Sequence, residues 1–294
     1  MNAIRQALRR RVDRGDTVWF AGAQDALSAL LVEQSAFDGV FTTGFGISAS
    51  LLGQPDMELY TLSENLGVVD HVANVVRKPL FADADTGYGN VLNVARTVRA
   101  FEKAGVAALS IEDQVSPKRC PAAASAPVTL PIAEAVGKIR AAVDARTDPD
   151  LLIVARTDVL DPHEALERAA RYADAGADLI QPISRTFGSH EDLVRLREAC
   201  GRRLSLQLME GTWLVTMTRA QIERVAAFAT YPLVTLMSTV HAVQANLAAL
   251  ASRRGEPFGD LPCGRTTMAD FKQLIGWQAL EERQAHYEIG ASSA

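Results

Sequence analysis

The chain has 294 residues, of which 48% are hydrophobic and 22% are charged, and its formal net charge is −5. This is the composition of a globular protein that can bury a sizeable core, and it gives no electrostatic basis for binding nucleic acid or an anionic membrane. The three cysteines, Cys120, Cys200 and Cys263, are too few and too scattered for a disulfide framework, which favours a cytoplasmic location. No signal-peptide core and no run of 18 apolar residues is present, so no membrane span is expected.

Short apolar runs alternate with longer amphipathic stretches along the chain. After an amphipathic N-terminal helix, the pattern predicts eight strands, at Thr17–Ala23, Gly39–Gly44, Pro79–Asp85, Ala108–Asp113, Leu151–Asp158, Asp178–Ser184, Leu204–Glu210 and Leu233–Ser238. The clearest helices between them are predicted at Asn90–Ala104, Ala133–Arg146, His163–Ala175 and Asp192–Cys200. Because the strands are apolar on both faces, they suit a parallel sheet covered by helices. Eight β/α units in about 250 residues predict a (β/α)8 barrel; a doubly wound open sheet is the alternative.

The chain continues beyond the eighth predicted strand. A helix is predicted at Val240–Ser252, followed by a Gly/Pro-rich stretch at Gly255–Gly264 and a last helix at Met268–Tyr287. This last helix carries an apolar stripe that a complete barrel does not need. We expect the stripe to be buried either over the bottom of its own barrel or on a neighbouring subunit.

Acidic residues close two successive predicted strands. Asp83 and Asp85 end the third strand, and Glu112 and Asp113 end the fourth. In a (β/α)8 barrel the chemistry lies at the carboxyl ends of the strands. Two carboxylates this close need a cation unless one is protonated, and carboxylates and waters are the ligands that Mg²⁺ prefers. The pattern predicts a Mg²⁺ site, with Mn²⁺ as the alternative ion; helix capping or pairing with arginines is the structural alternative.

Two other strand ends carry candidate substrate-binding groups. Arg156 ends the fifth predicted strand, and its planar guanidinium suits a substrate carboxylate. The alternative is a salt bridge from Arg156 to Asp83, Glu112 or Asp158. The backbone amides at Thr43–Phe45, after the second strand, are placed to form either an anion-binding nest or a plain turn.

Five segments carry a resemblance to a known family: QDALSA (Gln24–Ala29), TTGFGISASLLGQPD (Thr42–Asp56), ADADTGYGN (Ala82–Asn90), SIEDQVSPKRC (Ser110–Cys120) and ARTD (Ala155–Asp158). On these motifs the chain resembles the isocitrate lyase / phosphoenolpyruvate mutase superfamily. Its front half is most similar to 2-methylisocitrate lyase and carboxyphosphonoenolpyruvate mutase. The resemblance implies a Mg²⁺-dependent barrel enzyme that acts on a small carboxylate through an enolate. It also implies a homotetramer, or a dimer, in which helix 268–287 of the 1–294 barrel domain packs on a neighbouring subunit.

The resemblance further implies roles for individual residues. The metal ligands are Asp83, Asp85 and Glu112; the substrate contacts are Thr43, Gly44, Phe45 and Arg156; the catalytic residues are Asp56, Lys118 and Cys120. Asp56 corresponds to an aspartate near the reacting centre, and Lys118 and Cys120 lie on a loop whose thiol protonates the departing enolate in the lyases. An inert loop thiol is the alternative for Cys120.

The chain departs from the lyase pattern in this loop and in its back half. Pro121 and Ala122 replace the Gly-His that follows the cysteine in the lyases. Ile183 stands where the lyases have Glu, and Gln207, which we expect to contact the substrate, stands where they have Asn. These changes predict a rebuilt substrate half beside an intact metal half.

Three functions follow from these features. The first is a lyase that cleaves a C–C bond of a small 2-hydroxy or 2-oxo di- or tricarboxylate and gives a 2-oxoacid. The second is a phosphonopyruvate-type P–C mutase or hydrolase, and the third is a catalytically retired barrel that binds a carboxylate. The thiol at Cys120 favours the lyase. The retained carboxylates and Arg156 argue against retirement, because such a cluster is costly without its ion.

Overall fold

The computed structural model describes residues 2–119, 127–254 and 259–288, and its first compact unit, residues 1–235, contains a closed barrel. Eight parallel strands pair in chain order, and the last closes on the first. They are β1 Val18–Ala23, β2 Gly39–Thr42, β3 Leu80–Asp83, β4 Ala108–Glu112, β5 Leu152–Thr157, β6 Leu179–Pro182, β7 Leu204–Gln207 and β8 Ala226–Tyr231. The predicted (β/α)8 barrel is confirmed, and the open-sheet alternative is wrong.

Helices cover the outside of this barrel. In chain order they are α1 Asn2–Asp13, α2 Ala26–Glu33, α3 Gly44–Leu52, α4 Leu62–Val75, α5 Val91–Ala104, α6 Ile132–Ala145, α7 Pro162–Asp174, α8 His190–Cys200 and α9 Arg219–Val225, with a short 3₁₀ helix at Trp213–Thr216. Capping residues set the ends of these helices, as α5 illustrates. Asn90 accepts hydrogen bonds from the first-turn amides of α5, and Gly105 ends that helix at φ +98°.

An aromatic cluster fills the barrel interior. Phe20, Phe41, Phe81 and Phe228 are buried, with neighbouring ring centroids 4.8–5.7 Å apart. Leu8 of α1 joins the same cluster, so the N-terminal helix closes this end of the barrel. Side chains alternate along a strand, so Asp83 points inward two residues after Phe81, toward the carboxyl end. The barrel therefore changes from aromatic to polar along its axis.

Two predicted elements differ in the structure. The predicted eighth strand Leu233–Ser238 is wrong, because β8 is Ala226–Tyr231 and Val234 begins a long helix, α10 Val234–Ser252. Strand β8 follows α9 without a turn between them, so the apolar pattern had no break to mark its start. The predicted helix Met268–Tyr287 is two helices, because Gly276 adopts φ +70° and separates α11 Met268–Leu274 from α12 Trp277–Glu288.

The second compact unit, residues 236–294, contains most of α10 together with α11 and α12. Asn246 links α10 to the segment before α11: its side chain donates to the carbonyl of Gly264 (2.9 Å) and accepts from the amide of Cys263 (3.1 Å). Within the described residues, α10 is the one helix long and apolar enough to cross a membrane. This is weak evidence for a membrane-spanning helix, because the criterion uses only length and composition.

Candidate active site

A cavity of about 330 Å³ opens at the carboxyl ends of the strands. This volume suits a small ligand. Its polar lining includes Thr43, Asp56, Asp83, Arg156, Gln181 and Gln207, and its apolar lining includes Phe41, Phe45, Pro182, Ile183, Met209 and Leu233. The cavity therefore has the mixed lining that a small organic anion with alkyl groups requires.

Asp83 and Asp85 lie together at the end of β3. The Oδ1 atom of Asp83 accepts hydrogen bonds from the amide of Asp85 (3.1 Å) and the hydroxyl of Ser110 (3.4 Å). Asp85 has φ +50°, a left-handed conformation that is uncommon for a non-glycine residue. Burial raises the pKa of Asp83, and the charge of Asp85 raises it further. The two carboxylates are thus close enough for the charge of Asp85 to disfavour ionisation of Asp83.

Two tyrosines hold Asp85 from the side. The hydroxyls of Tyr60 and Tyr88 each donate to its Oδ2 atom at 2.6 Å. Burial and the charge of Asp85 raise the pKa of both phenols well above the ordinary value, so both remain protonated donors. The side-chain amide of Asn65 donates to the Tyr88 hydroxyl at 2.6 Å and completes the cluster. The sequence predicted neither tyrosine, because their approach to Asp85 depends on the folded loops.

Lys118 lies buried between two carboxylates. Its Nζ is 2.9 Å from Asp56 Oδ2 and 2.7 Å from Asp85 Oδ1. Burial alone would lower the pKa of Lys118, but the surrounding carboxylates outweigh burial and raise it well above its ordinary value. The ammonium is therefore permanently charged. The Oδ1 atom of Asp56 remains buried without a hydrogen-bond partner among the described residues.

Arg156 connects two further carboxylates. Its Nη1 lies 2.8 Å from Glu112 Oε2, and its Nε and Nη2 donate to the two oxygens of Asp158 at 2.7 and 2.9 Å. Burial raises the pKa of Glu112 well above its ordinary value, although Arg156 opposes that shift. Arg156 thus forms salt bridges, as the alternative to substrate binding predicted, and it also lines the cavity. Three contacts use three of its five N–H groups, so donors are left for a ligand.

The N-terminus of α3 forms another part of the cavity. Thr43 caps this nine-residue helix by accepting from the amide of Gly46 (3.4 Å), and Thr43 and Phe45 both line the cavity. This segment is the start of a helix, and the backbone amides and the dipole at a helix start favour the binding of an anion. A Cβ atom on Gly44 would lie 2.8 Å from Asp85 Oδ1 and 3.1 Å from Asp83 Oδ2. Both carboxylates therefore point at the space that this glycine leaves open.

The ends of β6 and β7 form the opposite wall. Gln181 Oε1 accepts from the hydroxyl of Ser205 (2.8 Å) and the side-chain amide of Gln207 (3.2 Å). Ile183 lines the cavity at the position where a Glu was expected in a lyase. The predicted contact residue Gln207 reaches the cavity, and its Oε1 is buried without a partner in the described part of the chain. Gln181 was not predicted.

The carboxylates exceed the cations in this cluster. Among the described residues, five carboxylates (Asp56, Asp83, Asp85, Glu112 and Asp158) surround two cations, Lys118 and Arg156. No three carboxylate, imidazole or thiolate groups in residues 2–119, 127–254 and 259–288 form a compact three-ligand metal site. A divalent cation such as Mg²⁺ binds through one or two carboxylates and keeps several waters, and the surplus of carboxylates in this cluster is the donor chemistry that such an ion requires.

One of the two acidic residues at the end of β4 lies away from the cavity. Asp113, expected at the height of Glu112, turns away and binds Arg168 (3.1 Å) and the hydroxyl of Tyr172 (2.7 Å). That expectation is wrong because alternate residues of a strand point to opposite faces. Cys120, with Pro121 and Ala122, lies outside the described residues.

A family model for phosphoenolpyruvate phosphomutase matches residues 8–249. The chain belongs to this family. It is 36% identical over 273 residues to 2,3-dimethylmalate lyase of Eubacterium barkeri, a match that covers 92% of this chain and 93% of that protein. It is 42% identical over 181 residues to 2-methylisocitrate lyase of Salmonella typhimurium, covering 60% and 61%.

Solved structures of related proteins have the same fold as this chain. A crystal structure of 2,3-dimethylmalate lyase superposes with a TM-score of 0.87 at 30% identity, covering 97% of this chain and 95% of that chain. Phosphonopyruvate hydrolase in complex with oxalate and Mg²⁺ gives 0.83 at 29% identity, covering 97% and 98%. This family member is a carbon–carbon lyase of the isocitrate lyase / phosphoenolpyruvate mutase superfamily that acts on a small carboxylate. The mutase or hydrolase alternative is less favoured.

Proposed function

We propose that this lyase is Mg²⁺-dependent and splits an alkyl-substituted 2-hydroxydicarboxylate, such as 2,3-dimethylmalate, into pyruvate and a shorter carboxylate. The observation that carries the proposal is the buried cluster of five carboxylates and two cations beside a cavity with an apolar wall. The charged side chains can bind a metal ion and stabilise the negative charge of an enolate. The apolar wall favours a substrate with alkyl groups. A catalytically retired barrel would have no use for this buried cluster of carboxylates and cations.

The metal would be held by Asp83 and Asp85, with Glu112 reaching it through water. Both aspartates are buried at the end of β3, and Glu112 has a buried Oε1 atom without a partner among the described residues. A divalent cation bound there supplies positive charge that stabilises an enolate. Mg²⁺ is the ion proposed, with Mn²⁺ as the alternative, because all these donors are carboxylate oxygens.

Three groups of this chain bind and orient the substrate. The free amides of Gly44 and Phe45 at the start of α3 are suited to one carboxylate, as helix N-termini are. Arg156 presents its remaining N–H groups to the cavity from the opposite side. The Oε1 atom of Gln207, which has no partner in the described ranges, suits a hydroxyl group.

Asp56 is the proposed general base. Lys118 holds its Oδ2 atom, while its Oδ1 atom is buried without a described partner in a side chain that lines the cavity. This free lone pair accepts the proton of the substrate 2-hydroxyl. The C2–C3 bond then breaks, its electron pair forms the enolate of the shorter carboxylate, and C2 becomes the carbonyl of the 2-oxoacid.

Protonation of the enolate carbon completes the reaction. We assign this proton to Cys120, which follows Lys118 by two residues in the sequence. For 2,3-dimethylmalate the products are pyruvate and propionate, and the proton taken by Asp56 balances the proton given by Cys120. The assignment of Cys120 rests on the motif alone, since this residue lies outside the described part of the chain.

The apolar wall supports the choice of substrate. Ile183, Met209 and Leu233 form its apolar part, and Arg185 and Glu210 on the same wall carry opposite charges. A third carboxylate, as in methylisocitrate, would meet a wall without net positive charge. Methyl groups gain by contact with these side chains, at about 0.8 kcal/mol for each buried CH₂.

A substrate panel tests the proposal. The full chain is incubated with Mg²⁺ and 2,3-dimethylmalate, methylisocitrate, oxaloacetate or phosphonopyruvate, and 2-oxoacid release is followed by a coupled dehydrogenase. We expect the highest kcat/KM with 2,3-dimethylmalate and no turnover in EDTA. Ile183→Ala should lower kcat/KM for dimethylmalate by about 10-fold, while Val215→Ala, at an exposed site, serves as the control. Preference for methylisocitrate, or activity in EDTA, would contradict the proposal.

We also propose a homotetramer in the cytoplasm, with a dimer as the smaller alternative. A groove beside α9 in the first compact unit is lined by the aromatic side chains of Trp19, Phe37 and Tyr231. In the second compact unit, α10 carries the apolar residues Val243 and Leu247. Both sets of apolar side chains suit an interface between subunits, as the resemblance to the superfamily implies for helix 268–287. Light scattering should give a mass near four times that of one chain, and Leu247→Arg should reduce it.

A further inference from the structure

Lys118 is a long side chain on a segment without regular structure, yet its ammonium is placed between two carboxylates. The segment emerges from a short antiparallel neck, in which the amide of Val115 donates to the carbonyl of Val128 (2.8 Å) and Leu130 donates to Asp113 (2.8 Å). Beyond this neck, backbone pairing does not fix Lys118 among the described residues. Other contacts must therefore set where its side chain begins.

Glu58 provides the first of these contacts. Its Oε2 atom accepts the backbone N–H of Lys118 at 2.7 Å, and its Oε1 atom accepts the hydroxyl of Thr86 at 2.6 Å. Thr86 directly follows Asp85, which is one of the two partners of the Lys118 ammonium. Glu58 has φ +54°, a conformation that costs energy in a non-glycine residue and is maintained by such contacts.

Gln114 provides the second contact. Its Oε1 atom accepts the backbone N–H of Arg119 at 3.0 Å, and its Nε2 donates to Asp158 Oδ2. Only this orientation of the amide satisfies both partners, because a backbone N–H donates and a carboxylate accepts. Asp158 in turn holds Arg156 through two hydrogen bonds. Gln114 is 1% exposed, so these hydrogen bonds are shielded from water.

We propose that Glu58 and Gln114 are positioning residues that hold two consecutive amides and thereby place the Lys118 ammonium between Asp56 and Asp85. One tether leads to the residue beside Asp85, and the other leads through Asp158 to Arg156. The position of Lys118 is thus fixed relative to both the carboxylate pair and the substrate-binding arginine. This inference rests on the proposed function for the role of Lys118 in turnover, but the two tethers themselves do not depend on it.

Hydrogen exchange of the full chain tests the tethers without any substrate. Glu58→Met and Gln114→Met should each speed exchange of the amides in 118–119 by about 10- to 100-fold, the loss expected for one buried or charge-assisted hydrogen bond. Glu64→Met and Gln221→Met are matched controls, because these residues cap α4 and α9 and make no contact with Lys118 in the described part of the chain. Unchanged exchange in both tether variants would overturn the proposal.

Kinetics then test whether the tethers act through Lys118. We expect each variant to lower kcat about 10-fold or more while KM stays within about threefold, because Arg156 keeps both bonds to Asp158. In a Lys118→Met background the same substitutions should have no further effect on kcat, since the group that they position is absent. Losses that add to that of Lys118→Met would overturn the positioning role. If no acid is turned over, the proposed function fails, and the exchange result still decides the tethers.

Discussion

Replacing Gly44 by alanine tests how closely the carboxylate pair depends on one missing Cβ atom. The new methyl group would lie 2.7 Å from the Tyr60 hydroxyl and 2.8 Å from Asp85 Oδ1. Ordinary van der Waals contact begins at 3.4 Å, so both atoms must retreat by about 0.6–0.7 Å. These atoms are bonded to the same cluster, and Tyr60 donates to Asp85. The methyl group therefore cannot be accommodated without moving the proposed metal ligands.

Two effects of Gly44→Ala follow from this displacement. Overpacking of this kind costs about 1–3 kcal/mol, and each kcal/mol lowers the Tm of a domain of this size by roughly 2–4 °C. Misplacement of the reacting groups by a large fraction of an ångström should lower kcat/KM by about 10- to 100-fold. Affinity for Mg²⁺, measured by calorimetry, should fall with it, because Asp83 Oδ2 is also only 3.1 Å from the added atom.

Gly67→Ala is the matched control. Gly67 is exposed within α4, and an added Cβ would meet no atom within 4 Å. Alanine in a helix interior should raise the unfolding free energy by about 0.5–1 kcal/mol and leave turnover unchanged. Thermal melts and the coupled assay on both variants measure the contrast. A Gly44→Ala enzyme with normal kcat/KM and normal Mg²⁺ affinity would refute the geometric argument.

Three other outcomes are expected. Burial raises the pKa of Asp56 and Glu112, so the folded metal-free protein binds more protons than the unfolded chain; its unfolding free energy should fall as pH rises above about 4. The Tm gain from Mg²⁺ over EDTA should therefore grow between about pH 5 and pH 8, and a constant gain would contradict this. Lys118→Met should tighten Mg²⁺ binding in calorimetry, because a competing charge leaves Asp85, while kcat falls. Cys120→Ser should lower single-turnover rates by about 10²–10⁴, and an unchanged rate would make the thiol a bystander.

The sequence predicted those parts of the site that follow from strand alternation. Asp83 and Glu112 end buried strands and Arg156 is the last but one residue of another, and each points inward because an inward residue precedes it by two positions. The same rule, applied to Asp113, would have placed it outside the cavity. The strand count also followed from the alternation of apolar runs, whereas the eighth strand was misplaced because Ala226–Tyr231 is rich in alanine and continues directly from a helix.

Contacts between loops could not be predicted in this way. Tyr60, Glu58 and Lys118 reach Asp85 or its neighbour from segments 25 to 33 residues away, and no local pattern specifies that approach. A buried lysine beside Asp85 is also unexpected from propensity, because a charge is buried only where partners repay its desolvation. The partners are known only once the chain has folded.

The arrangement explains how the back half can change while the carboxylate cluster stays intact. The cluster is built on β3, β4 and β5, and its hydrogen bonds run among Asp83, Glu112, Arg156 and their neighbours. The wall at β6 and β7 has a network of its own, through Gln181, whose partners are Ser205 and Gln207. Substitutions such as Ile183 for a Glu therefore alter what the substrate contacts without shifting the carboxylates. Since barrel strands deliver side chains independently to one shared opening, substrate preference and enolate chemistry can vary separately.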